Sequence, residues 1–141
     1  MSEALVLIDS SAWIASLSGQ VPAVTQEVSE RLIPSQRAAI NEVIRLEILT
    51  GARDEKHFTE LQEQLVGIHL LPVTDDVWQL AERTRFALRR KGLSTSVPDT
   101  IIASSAIVYG CELFHLDGHF DLIAKHAPLK IYTSARMERK N

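Results

Sequence analysis

The chain has 141 residues, 45% hydrophobic and 23% charged, with a net charge of −3. That size and balance fit a single domain over residues 1–141 with its own core, and exclude both a disordered segment and a wholesale basic nucleic-acid binder. A lone cysteine, Cys111, excludes an internal disulfide or a thiolate zinc cage, and no apolar run approaches the ~20 residues of a membrane span, so a cytoplasmic protein is expected.

Strands and helices alternate along the chain. Leu5 to Ile8 is a continuous apolar run, the pattern of a strand buried on both faces, and Ser10 or Ser11 can cap a helix that Gly19 ends. Residues 22–33 predict a second helix behind Pro22. Ala38-Ala39-Ile40 predicts a short strand before a helix over 41–51, a further helix covers 54–66, and Leu70 to Val73 is a connector or short strand. Asp75 to Lys91 carries Val77, Leu80, Ala81, Thr84, Ala87 and Leu88 at helical spacing. Gly92 closes that helix and Pro98 opens the next, which stops at Gly110. A strand over Leu113 to Leu116, a short helix over Phe120 to Lys125 and a last strand at Ile131-Tyr132 complete the pattern. Such alternation implies an α/β fold with a parallel sheet covered by helices, whose ligands collect at the carboxyl ends of the strands.

Four acids fall where that crevice is expected. Asp9 follows the first strand and Asp117 follows the Leu113 to Leu116 strand. Glu47 lies at about 40° on a helical wheel that takes Val43 as zero, inside the apolar arc, whereas Glu42 lies near Arg45, where a solvated ion pair is expected. Asp99 stands in the first turn of its helix, on the face shared by Ile102, Ala103 and Ala106. Carboxylates gathered on core-facing positions repel one another unless cations occupy the cluster. Oxygen-only ligands of this kind suit Mg²⁺ or Mn²⁺, which activate water and stabilise the leaving oxygen of a phosphodiester. Phosphodiester hydrolysis is the chemistry so predicted.

The segments Asp9-Ser10-Ser11-Ala12-Trp13, Glu47-Ile48-Leu49-Thr50-Gly51, Pro98-Asp99-Thr100-Ile101-Ile102-Ala103 and Leu116-Asp117-Gly118-His119-Phe120 resemble, in this order, the four signatures of PIN-domain ribonucleases. Length and spacing are most similar to the VapC-type toxins of toxin–antitoxin pairs. The resemblance implies a three-layer α/β/α sandwich with a mainly parallel sheet, in which Asp9, Glu47, Asp99 and Asp117 bind Mg²⁺ or Mn²⁺ and cleave RNA. It implies an endoribonuclease toxin acting on structured RNA such as tRNA or rRNA loops, a cognate VapB-like antitoxin as partner, and a homodimer. Ser10 or Ser11 corresponds to the hydroxyl residue that often follows the first acid and that can support it or a metal-bound water. The family commonly has Thr or Ser two residues before the last acid; here His115 stands there, able to bond Asp117 or a phosphate.

Other constellations carry less. His115, Asp117 and His119 have an H-x-D-x-H spacing that admits a zinc site, although Gly118 interrupts the strand between them. Asp121 reads as an ion-pair partner of Lys125, four residues on. Up to Glu82 the chain has 5 basic and 13 acidic residues, net −8; from Arg83 onward it has 10 basic and 5 acidic, net +5. Arg83, Arg85, Arg89, Arg90 and Lys91 lead into the segment bearing Asp99 and form either a solvated face or a phosphate-tracking patch, with Arg136, Arg139 and Lys140 repeating the pattern in the tail. A competing reading is a PIN-like scaffold that chiefly binds an antitoxin and takes part in transcriptional autoregulation. A haloacid-dehalogenase-type phosphoryl-transfer site needs a second Asp where Ser11 stands, and no Gly-rich phosphate loop is present.

Overall fold

A computed structural model describes residues 4–134. The chain begins with β1 (Val6–Ile8), whose three residues are all buried, as a strand covered on both faces must be. It is followed by α1 (Ser10–Ser18), α2 (Pro22–Thr25), β2 (Ala38–Ile40), α3 (Glu42–Thr50), α4 (Glu55–Gln64) and β3 (His69–Leu70). The second half contains α5 (Asp75–Arg90), α6 (Val97–Tyr109), β4 (Glu112–Phe114), α7 (His119–Ala124) and β5 (Lys130–Ile131). All five strands pair in parallel, in the order β3-β2-β1-β4-β5, with Leu7 opposite Ala39 on one side and Leu113 on the other.

This order decides where the helices lie. From β1 the chain winds outward to β2 and β3, then crosses back over β1 to reach β4 and β5. Right-handed crossovers therefore place α1 to α4 on one face and α5 to α7 on the other. Packing follows that division: α1 touches α2 and α3, α3 touches α4, and α6 touches both α5 and α7. The result is the expected three-layer α/β/α sandwich. Winding reverses between β1 and β4, which opens a crevice beyond their carboxyl ends, and α3 meets α6 as well.

The buried core draws on both helical layers, from Trp13, Val28 and Ile44 to Ile102, Phe114 and Phe120. Cys111 belongs to it, and burial pushes its thiol pKa up, as suits an inert core residue. Asn41 shows how tightly the crevice wall is tied. Its side chain caps α3 by accepting from the Ile44 N–H at 2.8 Å and donates to Ser105 Oγ of α6 at 3.0 Å, all of it buried. Asn41→Ala is expected to lower stability by about 1–2 kcal/mol, since both a cap and an interlayer hydrogen bond are lost; urea unfolding measures it.

Several elements differ from the sequence expectation. Only Pro22–Thr25 of the expected helix over 22–33 is α-helical; Gln26–Leu32 continues as a π-helix, with the Ile33 N–H bonded to the Val28 carbonyl. The wider turn carries Glu27, Val28 and Leu32 inward together, and Glu27 is stabilised there by the Tyr132 hydroxyl and by Arg31. The strand expected to run to Leu116 stops at Phe114, because β1 offers no partner beyond Asp9, whose N–H takes the Phe114 carbonyl at 2.9 Å. Glu42 does not pair with Arg45: its carboxylate accepts the Val73 N–H at 2.9 Å and ties α3 to the segment before α5.

Candidate active site

Asp9 is the residue at which β1 turns into α1. Its Oδ2 accepts the Ser11 N–H at 3.0 Å and the Ser11 hydroxyl at 2.5 Å, so it caps the helix it introduces. The residue is only 4% exposed. Burial raises its pKa against the pull of those hydrogen bonds, and the negative charge of Asp99 adds to the rise. Ser11 has a second task, since its Oγ accepts the Leu116 N–H at 3.0 Å and draws the chain after β4 over the start of α1.

Glu47 reaches the same place from α3, where Ser10 Oγ donates to its Oε1 at 3.0 Å. It lies on the half-buried side of the helix, as the wheel predicts. Its pKa is also raised, chiefly by burial and further by the charges of Asp9 and Asp99. Asp99 comes from the first turn of α6, positioned by Ser96, whose Oγ accepts the Asp99 N–H at 3.1 Å. Asp117 lies in the loop between β4 and α7, and its Oδ1 accepts the His119 N–H at 3.0 Å. Asp9 at the β1–α1 junction, Glu47 of α3 and Asp99 of α6 thus act on one another through their charges at the carboxyl edge of the sheet, and Asp117 of the β4–α7 loop flanks Asp99 there.

A histidine joins them. His119 Nδ1 lies 3.2 Å from Asp117 Oδ1 and 3.4 Å from Asp99 Oδ2. One ligand atom from each of Asp99, Asp117 and His119 can be chosen so that all three lie within 4.8 Å of one another. The cluster grades from depth to rim: the side chains of Asp99, Asp117 and His119 are 16%, 37% and 73% exposed. Among the described residues no lysine or arginine lies within ion-pair distance of the four acids. Oxygen-rich, negatively charged and open on one side, the arrangement can hold a divalent cation and leave positions for water and substrate.

A sequence profile of the PIN domain matches residues 6–126, a span that includes all four acids. The chain belongs to the PIN-domain family. Ribonuclease VapC11 of Mycobacterium tuberculosis (strain ATCC 25618 / H37Rv) is 37% identical over 127 residues, covering 86% of this chain and 92% of that protein. Ribonuclease VapC18 of the same strain is 28% identical over 124 residues, covering 83% of this chain and 85% of that protein. Among solved structures, DNA-bound VapBC from Salmonella typhimurium superposes with a TM-score of 0.78 at 18% identity, covering 92% of this chain and 98% of that one. VapBC-5 from M. tuberculosis superposes at 0.69 with 24% identity, covering 94% and 100%. Those two likenesses show that the PIN fold is shared.

The two histidines of the H-x-D-x-H spacing serve different ends in this PIN domain. His115 Nδ1 accepts the Asp117 N–H at 3.0 Å, and its Nε2 faces Asp121 Oδ1 at 3.3 Å. Asp121 therefore lies beside His115 and forms no ion pair with Lys125 among the described residues, while the buried His115 Nε2 makes no hydrogen bond. His119 is the site residue that the sequence reading set aside; its signal was position, two residues after a strand-end acid and at the start of a helix.

The basic run of α5 divides between two sides. Arg85 Nε donates to the Thr95 carbonyl at 3.1 Å and so fixes the loop that leads into α6 and Asp99. Arg89 lines a groove with Trp78 and Phe86, and the Arg90 guanidinium lies 6.0 Å from the Phe86 ring centre. Lys91 points the other way, with its Nζ 3.4 Å from His126 Nδ1. Arg136, Arg139 and Lys140 lie outside the described residues. Among the described residues no helix is long and apolar enough to cross a membrane.

Proposed function

We propose that this PIN domain is the endoribonuclease toxin of a toxin–antitoxin pair, hydrolysing phosphodiester bonds in structured RNA, such as tRNA or rRNA loops, under the control of a VapB-like antitoxin. The observation that carries the reading is the convergence of Asp9, Glu47, Asp99 and Asp117 with no lysine or arginine among the described residues to neutralise them. Two of these acids have raised pKa values through burial and mutual repulsion, a strain that a bound cation relieves. Asp9, Glu47, Asp99 and Asp117 would hold Mg²⁺ or Mn²⁺. When bound, such an ion activates water and neutralises charge on the phosphate and leaving oxygen.

The chain's own residues supply orientation. Ser10 holds Glu47 and Ser11 holds Asp9, so that each carboxylate presents its remaining lone pairs to the crevice. His115 braces the Asp117 backbone, and Arg85 braces the loop before Asp99. Arg89 and Arg90 would supply positive charge to steer an RNA backbone towards the acids, whereas Lys91, turned to His126, would not. Because Ser11 holds both Asp9 and the Leu116 N–H, Ser11→Ala is expected to slow cleavage about tenfold or more at saturating metal, measured as single-turnover rates.

The purified chain is expected to cut a subset of cellular RNA at discrete positions in Mg²⁺ or Mn²⁺, to stop in EDTA, and to arrest growth when induced without its partner. Mapping the new RNA ends identifies the substrate. Cleavage that persists in EDTA, or no cleavage of any structured RNA by a folded, metal-loaded protein, contradicts the reading.

A further inference from the structure

We propose that His119 is a direct ligand of the divalent cation, making this a mixed imidazole and carboxylate site that selects Mn²⁺ over Mg²⁺. The inference rests on the reading of Asp99 and Asp117 as metal-binding acids and adds a nitrogen donor to them. His115 cannot serve. Its Nδ1 lone pair is taken by the Asp117 N–H, its Nε2 is turned to Asp121, its ring packs against Phe120 and its side chain is only 7% exposed.

His119 has the opposite setting. Its ring is largely exposed, its backbone N–H is anchored on Asp117 Oδ1, and its Nδ1 stands 3.2 Å and 3.4 Å from oxygens of two different carboxylates. Two ligands at ~2.1 Å from one octahedral ion and at right angles to each other are about 3.0 Å apart. The observed nitrogen–oxygen separations are close to such ligand-to-ligand edges, and a single ion can bridge all three atoms. No lysine or arginine among the described residues competes for the position.

Selectivity follows from donor chemistry. Mg²⁺ prefers oxygen and sheds water reluctantly, so a nitrogen donor adds little to its binding. Mn²⁺ also favours oxygen ligands and is the weakest binder of the first-row series, but as a transition ion it gains more from one imidazole nitrogen than Mg²⁺ does.

The test is pulsed electron paramagnetic resonance of Mn²⁺ bound to the full chain, in which a directly bonded imidazole imprints a nitrogen-14 modulation, combined with calorimetric titration of Mn²⁺ and Mg²⁺. The modulation is expected in the unaltered protein and absent in His119→Gln, whose Mn²⁺ affinity falls about tenfold or more while Mg²⁺ affinity changes about threefold or less. Bound Mn²⁺ without nitrogen modulation, or modulation that survives His119→Gln, overturns the assignment of His119 and leaves the acids as ligands. Failure of the unaltered protein to bind Mn²⁺, or binding that Asp99→Asn does not weaken, overturns both this inference and the metal-dependent reading beneath it.

Discussion

Replacing Asp99 by asparagine is expected to lower metal-dependent RNA cleavage by on the order of 10³-fold while the protein stays folded. Asp99 couples the cluster: its charge adds to the rise that burial chiefly causes in the pKa of Asp9 and Glu47, and its Oδ2 faces His119. The amide keeps the shape and removes the charge. The start of α6 does not depend on that carboxylate, because Ser96 caps the Asp99 backbone N–H. In EDTA the variant is therefore expected to melt at the same temperature as the unaltered protein or higher, since repulsion has been removed. Metal at a hundred times its dissociation constant stabilises a folded protein by about 2.7 kcal/mol, roughly 8 °C at this size, and the variant is expected to lose most of that gain. A variant that melts early without metal would trace the loss of activity to misfolding.

The pH dependence of the metal-free protein carries the same signature. Asp9 and Glu47 have folded pKa values above those of the unfolded chain, so between the two values the folded state binds more protons. Their contribution to stability is greatest below the ordinary carboxylate range and falls as pH rises through the raised folded values. Melting curves in EDTA from acid to neutral pH are expected to show this decline, and Asp99→Asn is expected to reduce it only slightly, since burial is its main cause.

Tyr132→Phe is expected to destabilise the fold by about 2–3 kcal/mol and to lower the melting temperature by roughly 6–12 °C. Glu27 is fully buried on the π-helical segment, and the Tyr132 hydroxyl donates to its Oε2 across a sequence separation of 105 residues. Its other oxygen lies 3.4 Å from the half-exposed guanidinium of Arg31. Phenylalanine keeps the ring that packs 5.3 Å from Phe114 but strips a buried carboxylate of its donor. Burial and the neighbouring Glu27 push the Tyr132 phenol up to about 12. The folded chain thus keeps this proton where the unfolded chain releases it, so the contribution is complete below about pH 10 and is lost as pH rises towards 12. Thermal melts of the two proteins between neutral and alkaline pH are expected to converge over that window.

Much of the layered fold was legible locally. Val6-Leu7-Ile8 could only be a strand covered on both faces, and Ser96, Asp99 and Gly110 bracket α6 as a cap, a first-turn acid and a left-handed terminus should. Glu47 was placed by helical period alone. The π-helical turn was not legible, because Gln26–Leu32 has an ordinary helical pattern and the partner of its buried Glu27, Tyr132, is 105 residues away in sequence. Nor was the end of β4, which depends on where its neighbour β1 runs out. The expected pairs Glu42–Arg45 and Asp121–Lys125 failed because i,i+3 and i,i+4 pairs on a helix surface are worth only about 0.5 kcal/mol, so that a tertiary donor such as the Val73 N–H displaces the first readily and Asp121 is left beside His115.

By itself the sequence singled out four acids at strand ends and on core-facing helix positions, the alternation that builds a parallel sheet, and the polarised charge, with net −8 up to Glu82 and +5 from Arg83 onward. These are properties of residue type and local period, and local pattern carries them. Tertiary structure alone decided which groups share a few ångströms of space: Ser10 with Glu47, Ser11 with both Asp9 and the Leu116 N–H, and the ring of His119 with the carboxylates of Asp99 and Asp117 while His115 meets only the Asp117 backbone. Such neighbours come from segments as much as 105 residues apart, brought together where the sheet reverses its winding.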